Sequence, residues 1–319
     1  MVTGAGGIGG PVRGERTADV IARPGRPAKG RGLKPAPFGY HRAASVADAV
    51  TLLAAYEGSA RVIAGGQSLV PMLNMRLLRP DALVDVNGLG ELAAVRQAGE
   101  VTALGALVRY TAIERSPVIA ERLGLLPAVV RHVGDRQVRN RGTIGGSLAH
   151  ADPTGELPLA CLVLGATVRV TGPSGRRDIP VAELYQGSYA TVLEPDELLT
   201  EVVFPRPPPF FAFSEQCRRH NDFAVVSVAA VGDRGPDGTW NGVRIGLGGV
   251  ADQPVLAAAA GAAASGTSLT DESIADAAQA ALDVIDPPSD VRASAEYRRY
   301  LVPVYVRRVL TALRSAGSA

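Results

Sequence analysis

Two short glycine-rich segments constrain this chain more than any other feature of its sequence. The first, AGGQSL at residues 64–69, follows the apolar run ARVI, which is typical of a short buried strand, and the second, RGTIGGS, covers residues 141–147. Paired glycines let backbone N–H groups approach a ligand without a side-chain clash, and consecutive N–H groups can surround an anion. An isolated glycine pair is more often a tight turn, so each segment alone supports a binding site only weakly.

The two segments together narrow the choice of ligand. They lie about 80 residues apart, and two concavities lined by N–H groups suit a ligand whose central pyrophosphate is held from both sides. Two acids, Asp152 and Glu156, follow within ten residues of the second glycine pair and can accept hydrogen bonds from sugar or ribityl hydroxyls. This combination predicts a site for flavin adenine dinucleotide (FAD).

The composition excludes several other classes of protein. With 46% apolar and 20% charged residues and a mean hydropathy of +0.12, the 319-residue chain can build sizeable cores, and disorder is not expected to dominate. Its longest uncharged stretch, residues 253–270, consists mainly of small residues and lacks the roughly 20 strongly apolar residues that a membrane span needs. A net charge of +2 is far from the basic surplus of nucleic-acid-binding proteins, so neither a membrane nor a nucleic acid is an expected partner.

The cysteines and histidines argue against a metal centre on this chain. Its two cysteines, Cys161 and Cys217, are too far apart for a CxxC site, and an iron–sulfur cluster usually needs four thiolates. The four histidines show no spacing typical of zinc ligands, so no metal-binding residue is predicted. Cys161 lies within the apolar run LPLACLVL and is predicted to be a buried core thiol.

Residues 1–36 differ in composition from the rest of the chain. They contain nine Gly, four Pro and seven Lys or Arg but only two acids, which predicts a disordered leader with a charge of +5, against −3 for the remainder. The GAGGIG run at residues 4–9 matches a dinucleotide fingerprint only formally, because no predicted strand precedes it and no predicted helix follows it. No apolar signal-peptide core follows the arginines, so we expect a cytoplasmic protein.

The remaining sequence predicts an α+β protein built from three units. Residues 37–92 combine a capped amphipathic helix after Ser45 with short buried strands, which is typical of a small α/β unit. Residues 93–208 predict short strands, a helix near residues 124–133 and a helical LPLACLVL segment. After a PRPPP segment, residues 209–319 predict three strands followed by two amphipathic helices.

The glycine-rich segments and their flanking residues resemble a known family. The pair AGGQSL…P and TIGGSLAHADP…ELP, in this order and at this distance, is similar to the flavin-binding medium subunit of the molybdenum hydroxylases, the carbon monoxide dehydrogenase and xanthine dehydrogenase family. The resemblance extends from Phe38 to about Arg314 and includes YHRAASVADAV near its start and RRHNDFAVVSVAA at residues 218–230. Both motifs together are highly specific for this family.

The resemblance implies a fold and a position for the cofactor. The fold is the vanillyl-alcohol-oxidase type, with two N-terminal α/β subdomains that hold FAD and a C-terminal α/β domain that closes over it. Covalent members of this wider fold often use a histidine, and His150, which lies several residues beyond the second glycine pair, is poorly placed for that role, so we predict non-covalent FAD. By matching motifs, the pyrophosphate lies against two sets of residues: Ala64, Gly65, Gly66, Gln67, Ser68 and Leu69, and Thr143, Ile144, Gly145, Gly146 and Ser147.

Four further FAD contacts are predicted outside the glycine segments. The resemblance places Glu156 near the ribityl chain and makes Leu199 an apolar contact on the flavin. Phe223 in the NDFA segment is either a cover for the isoalloxazine ring or an ordinary core aromatic. Asp152 is either a cofactor contact or the cap of the turn that an Asp-Pro pair commonly starts.

Two positions depart from the family pattern. Relatives on the xanthine dehydrogenase side carry a lysine shortly before the RR pair, where this chain has Ser214 and Glu215, so a cationic contact to the flavin is not expected there. Many relatives have Asn at the position of Ser147. Neither change affects the glycines of the two segments.

The resemblance implies electron transfer rather than substrate oxidation, and no catalytic residue is predicted on this chain. In the family, a large molybdopterin subunit oxidises the substrate, a small subunit with two two-iron clusters passes the electrons on, and the flavin subunit delivers them to NAD, a quinone or oxygen. The expected partners are therefore the iron–sulfur and molybdopterin subunits, which carry those cofactors, in a heterotrimer doubled by symmetry. Two alternatives stay open: a free-standing FAD-dependent oxidase or reductase, and a non-catalytic nucleotide-binding or assembly protein.

Overall fold

The computed structural model describes residues 35–219 and 221–317, and this part of the chain begins with a sheet of three parallel strands. The predicted leader therefore lies, up to residue 34, outside the described residues. The first sheet has the order β1-β3-β2, with β1 at Gly39–Arg42, β2 at Ala60–Ile63 and β3 at Ala82–Asp85. Because β2 and β3 are parallel, they end at the same edge of the sheet, where the first glycine segment starts.

Helices connect these strands, since parallel neighbours cannot be joined by a tight turn. Helix α1 covers Val46–Ala55, and the hydroxyl of Ser45 accepts the backbone N–H of Asp48 at 3.0 Å, so the predicted capped helix is confirmed. Helix α2 covers Leu69–Asn74 between β2 and β3, and a 3₁₀ turn at Gly90–Ala93 leads to the next sheet. The first glycine segment thus connects the end of β2 directly to α2.

The second sheet is antiparallel, with the order β4-β5-β10-β6-β7. Because β10 pairs with both β5 and β6, the last strand of this unit occupies its centre, and Leu199 on that strand is buried. A 3₁₀ turn at Val181–Glu183 precedes a separate ribbon of β8 and β9. The strands are Val95–Ala98 (β4), Val101–Gly105 (β5), Thr167–Gly172 (β6), Gly175–Pro180 (β7), Tyr185–Gly187 (β8), Ala190–Thr191 (β9) and Leu198–Phe204 (β10).

Six helices lie between β5 and β6. They are Tyr110–Arg115 (α3), Pro117–Arg122 (α4), Leu125–Val130 (α5), Arg136–Arg141 (α6), Ile144–His150 (α7) and Glu156–Val163 (α8). The predicted helix near residues 124–133 and the helical LPLACLVL segment are confirmed as α5 and α8. All eight residues of α8 are buried, and Cys161 is fully inaccessible, as predicted for a core thiol. The other four helices are only six or seven residues long, too short to show a helical period.

The third sheet is antiparallel and follows chain order. Strand β12 is buried on both faces, because Ala229 and Val231 pack into the core around α8 while Val228 and Ala230 face the C-terminal helices. The two predicted amphipathic helices are confirmed as α10, extended by a 3₁₀ turn at Ala281–Val284, and α11. The elements are Phe210–Cys217 (β11), Ala224–Arg234 (β12), Trp240–Gly248 (β13), Val255–Leu256 (β14), Ala258–Ala264 (α9), Asp271–Ala280 (α10) and Ala295–Ala316 (α11).

A single core joins the second and third sheets. Helix α8 packs on β12 and β13, and the same core contains residues of β6, β10 and α5. Each sheet lies inside one of the predicted units 37–92, 93–208 and 209–319, whose ends stay a prediction. Through this core, β11 of the third sheet packs against α5, and Glu215 on β11 comes within 3.1 Å of His132, just after α5.

Candidate functional site

The first glycine segment leaves β2 in a turn that glycine adopts most easily. Gly66 has a φ of +72°, and the first turn of α2 closes onto its carbonyl oxygen. Two side-chain amides bond the neighbouring carbonyls: Asn87 Nδ2 donates to the Ala64 oxygen at 2.8 Å, and Gln67 Nε2 donates to the Gly65 oxygen at 3.0 Å. The carbonyl groups of Ala64, Gly65, Gly66 and Ser68 are therefore bonded within the protein.

The N–H groups of the same segment are available to a ligand. Within the described residues, the backbone N–H groups of Gly65, Gly66, Gln67, Ser68 and Leu69 donate to no protein acceptor. The hydroxyl of Ser68 makes no capping bond to α2, and this residue is exposed. A run of unbonded N–H groups attracts an anion, so the segment has the donors that a pyrophosphate requires.

The second glycine segment is the start of helix α7 and not a loop. Thr143 caps this helix, and its hydroxyl accepts the N–H of Gly146 at 3.2 Å. The N–H groups of Ile144 and Gly145 donate to backbone carbonyls just after β5, at 3.1 and 2.9 Å. In this segment, most of the N–H groups that the sequence predicts to surround an anion are bonded within the protein.

Close packing explains one glycine of the second segment. A Cβ on Gly145 would lie 2.5 Å from the Cβ of Ala106, which is too close for any real side chain. Gly146 is exposed, and a Cβ there would meet only the Thr143 hydroxyl. The surface that this segment offers to a ligand is therefore centred on Gly146 and the half-buried Ser147.

Gly65 brings the two segments into contact. A Cβ on this buried glycine would lie 2.3 Å from the carbonyl oxygen of Arg141 and 3.1 Å from the Cα of Gly142. The close approach that glycine permits here is made by protein backbone. It places the unbonded N–H groups of the first segment beside the residues that lead into the second, so the structure joins the two predicted parts of the site.

Glu156 supplies a buried carboxyl next to this region. It is the first residue of α8 and is 8% exposed. Burial, and then the nearby carboxyl of Glu215, raise the pKa of Glu156 to about 8, and a bond with its own backbone N–H opposes this shift only in part. At neutral pH the carboxyl is therefore mostly protonated, and it can donate as well as accept a hydrogen bond.

Glu215 on β11 centres a polar cluster that sequence reasoning missed. Its side chain is 6% exposed, and Oε1 lies 3.1 Å from Nδ1 of His132 and accepts the thiol of Cys217 at 3.1 Å. Its Oε2 and the side-chain oxygen of Asn221 are buried without a partner among the described residues. These groups line a cavity of about 270 Å³ whose wall consists of His132, Glu215, Gln216, Cys217, Arg219 and Asn221.

The other predicted contacts lie in different environments. Asp152 Oδ1 accepts the N–H of Thr154 at 2.9 Å and its hydroxyl at 2.8 Å, so this carboxylate caps the turn. Leu199 is buried within β10. Phe223 is 52% exposed, which excludes the alternative of an ordinary core aromatic, and the Arg292 guanidinium lies 4.5 Å from its ring centroid.

Two side chains further along α7 contact aromatic rings of this chain. Ser147 hydrogen-bonds the hydroxyl of Tyr110, and burial raises the pKa of that phenol to about 12. The His150 ring packs 5.1 Å from the ring of Tyr189, and burial lowers the pKa of this histidine.

Among the described residues, no group of three or more His, Cys, Asp or Glu is arranged to hold a metal ion. None of the described helices has both the length and the apolar character needed to cross a membrane.

Comparison with known families accounts for nearly all of the described chain. Residues 36–207 match the family described as FAD binding domain in molybdopterin dehydrogenase, and residues 211–313 match the CO dehydrogenase flavoprotein C-terminal domain. The chain therefore belongs to the family of FAD-binding subunits of molybdopterin-dependent oxidoreductases, which confirms the resemblance seen in its sequence. The unbonded N–H groups at residues 65–69 are consistent with that cofactor.

Individual relatives agree over almost their full lengths. The chain is 39% identical to the 6-hydroxypseudooxynicotine dehydrogenase complex subunit alpha of Paenarthrobacter nicotinovorans, over 87% of this chain and 95% of that protein. It is 37% identical to the carbon monoxide dehydrogenase medium chain of Afipia carboxidovorans, over 86% and 96%. A solved carbon monoxide dehydrogenase from Hydrogenophaga pseudoflava, which lacks the Mo-pyranopterin moiety of its cofactor, matches with a TM-score of 0.86 and 35% identity, over 89% of this chain and 99% of that one. The predicted fold and FAD as the cofactor are thereby confirmed.

Proposed function

We propose that this chain is the FAD-carrying electron-transfer subunit of a molybdenum-containing hydroxylase or dehydrogenase. It passes electrons from the iron–sulfur clusters of a partner subunit to an external acceptor, which is NAD, a quinone or oxygen. The observation that carries the proposal is the run of unbonded N–H groups at residues 65–69, held against the second glycine segment in a family that binds FAD.

The proposed assembly follows from the division of cofactors. A small iron–sulfur subunit and a large molybdopterin subunit complete a cytoplasmic heterotrimer, because the two cysteines of this chain cannot hold the clusters. The relatives support this arrangement by their names, which include medium chains and subunits of dehydrogenase complexes. Electrons must then cross a subunit boundary to reach FAD, so part of the surface near the site is a permanent interface.

The described residues fit the phosphate part of FAD. The N–H groups of residues 65–69 supply donors for the pyrophosphate, and the exposed Gly146 permits close approach from the second segment. Ser68 adds a hydroxyl that is not used in capping α2. Asp152 contributes by fixing the turn that it caps, which lies between α7 and α8. When bound, FAD supplies the redox chemistry by accepting electrons and releasing them to the acceptor.

The other residues fit the ribityl and ring parts of the cofactor. We assign Glu156 to the ribityl chain, because a neutral carboxyl can both donate to and accept from hydroxyl groups. The resemblance makes Leu199, which is 5% exposed on β10, the apolar contact on the flavin, and the exposed ring of Phe223 is free to cover the isoalloxazine on the face that Arg292 does not occupy. These side chains orient the cofactor and limit the access of water to it.

The test is to express the full chain with and without the products of its neighbouring genes. We expect a yellow protein with a flavin spectrum whose colour stays in the supernatant after acid precipitation, because the FAD is not covalently bound. Size-exclusion chromatography should show co-elution with subunits that contain molybdenum and iron. A flavoprotein that elutes alone in both cases and reduces an acceptor with an organic donor would instead establish a free-standing oxidase. A colourless protein in both cases would establish a non-catalytic one.

A further inference from the structure

Arg109 connects the two glycine segments from a position outside both. It lies immediately before α3, and its guanidinium donates through Nη2 to Asn87 Oδ1 at 2.6 Å and through Nη1 to the carbonyl oxygen of Arg141. Asn87 in turn donates to the carbonyl oxygen of Ala64 at 2.8 Å. One guanidinium therefore bonds both the residue that holds the first segment and the residue against which Gly65 packs.

Arg109 has unused N–H donors and a positively charged neighbour, and both favour an anion beside it. A guanidinium has five N–H groups, and these two bonds use two of them. Burial, and then the positive charge of the exposed Arg141, lower the pKa of Arg109, and the nearby carboxylate of Asp85 opposes them. That carboxylate already accepts hydrogen bonds from Tyr40 and Asn87. Two neighbouring guanidinium groups repel each other, and an anion beside the segments relieves that repulsion.

We propose that Arg109 is a positioning residue for the pyrophosphate of FAD. It fixes the spacing of the two glycine segments through its planar fork and adds positive charge at the point where they meet. Lysine cannot replace it fully, because an ammonium group is a point charge that does not hold two acceptors in one plane. This inference rests on the proposed function, since it requires that FAD binds between these segments.

The experiment compares FAD with riboflavin, which lacks the phosphates, on the full-length chain freed of FAD. Flavin fluorescence gives both affinities at several salt concentrations. We expect Arg109→Gln to weaken FAD binding by about 10- to 100-fold, the loss typical of one or two bonds to a charged group, and to leave riboflavin binding unchanged. Arg109→Lys should recover part of the loss, and the salt dependence of FAD binding should become shallower in Arg109→Gln.

Two further variants separate charge from geometry. Arg141→Gln removes the neighbouring charge but keeps the backbone carbonyl that Arg109 contacts, so we expect a smaller loss of FAD affinity, about three- to tenfold. Arg206→Gln is the matched control, because its only bond in the described residues is an exposed ion pair with Glu100. It should bind FAD like the unmodified chain.

The outcomes distinguish this inference from the function on which it rests. Equal losses of FAD and riboflavin affinity in Arg109→Gln would show a merely structural role and overturn the proposal, as would an unchanged FAD affinity. If Arg109→Gln does not fold, Arg109→Lys decides: FAD and riboflavin affinities that both equal those of the unmodified chain would overturn the proposal. An unmodified chain that binds no FAD at all would overturn the proposed function itself.

Discussion

The two glycine segments share a sequence pattern but differ in the use of their backbones. In the first segment most carbonyl groups are bonded within the protein, and the N–H groups of residues 65–69 are left for a ligand. In residues 143–147 most N–H groups are already bonded, to carbonyls after β5 or to the Thr143 hydroxyl. Gly66 provides a positive φ, whereas Gly145 provides room for Ala106. A glycine pair in the sequence therefore indicates that another group approaches the backbone closely, but it does not distinguish a protein group from a ligand.

The largest effect expected from this difference is on stability at the second segment. Gly145→Val places a branched side chain where a Cβ already lies 2.5 Å from the side chain and 2.8 Å from the backbone of Ala106. We expect the free energy of unfolding, measured by urea denaturation, to fall by about 3 kcal/mol, because neither backbone can move away without breaking the hydrogen bond between them. Gly90→Val is the control, since nothing lies within 4 Å of a Cβ there. Equal stabilities of the two variants would contradict the packing role.

The next effect concerns ligand affinity at the first segment. Gly65→Ala adds a Cβ 2.3 Å from the carbonyl oxygen of Arg141 and so pushes the two segments apart. We expect FAD affinity, measured by flavin fluorescence, to fall by about 10- to 100-fold, because the N–H groups then no longer face the second segment at the right distance. Gly90→Ala should bind FAD normally. A Gly65→Ala chain with unchanged affinity would show that contact between the segments is not needed for binding.

Local features of this chain could be predicted from sequence, and non-local ones could not. The cap at Ser45 and the apolar helix α8 depend on neighbouring residues, so their patterns were sufficient. The insertion of β10 between β5 and β6 depends on pairings across about 100 residues, which no local pattern encodes. The glycines of the two segments could be recognised in the sequence. Their contact could not, because Gly65 packs against a backbone carbonyl, which every residue type carries. Likewise, the contact between His132 and Glu215 joins residues 83 positions apart, so no local pattern could predict it.

The third expected effect is on the pH dependence of stability, and it concerns Glu156 beside the second segment. Burial and Glu215 raise the pKa of Glu156 from 4.5 to about 8 in the folded chain, so the folded state holds a proton that the unfolded state has lost between these values. The stability contributed by the neutral carboxyl is fully present below about pH 4.5 and is lost as the pH rises through 8. In the FAD-free chain, Glu156→Gln should remove at least about 1 kcal/mol of the decrease in unfolding free energy between pH 5.5 and 8.5.

The exposed Glu91→Gln serves as the control for that measurement. This variant removes an exposed carboxylate instead of a buried one, so the difference between the two variants isolates the effect of burial. If Glu156→Gln and Glu91→Gln gave the same profile as the unmodified chain, the buried carboxyl would not be protonated at neutral pH. Its assignment as a hydrogen-bond donor to the ribityl chain would then be wrong.

The smallest effects give the most direct comparison of the two segments, because one hydroxyl begins each helix. Thr143 accepts an N–H of α7 at 3.2 Å, whereas Ser68 makes no capping bond to α2. Thr143→Ala should therefore lower the free energy of unfolding by about 1 kcal/mol, and Thr143→Ser should restore most of it. Ser68→Ala should change stability by less than about 0.5 kcal/mol but weaken FAD binding by about two- to tenfold, because its hydroxyl is left for the ligand. Equal losses of stability in Thr143→Ala and Ser68→Ala would show that both hydroxyls serve the fold, and that the first segment is not reserved for FAD.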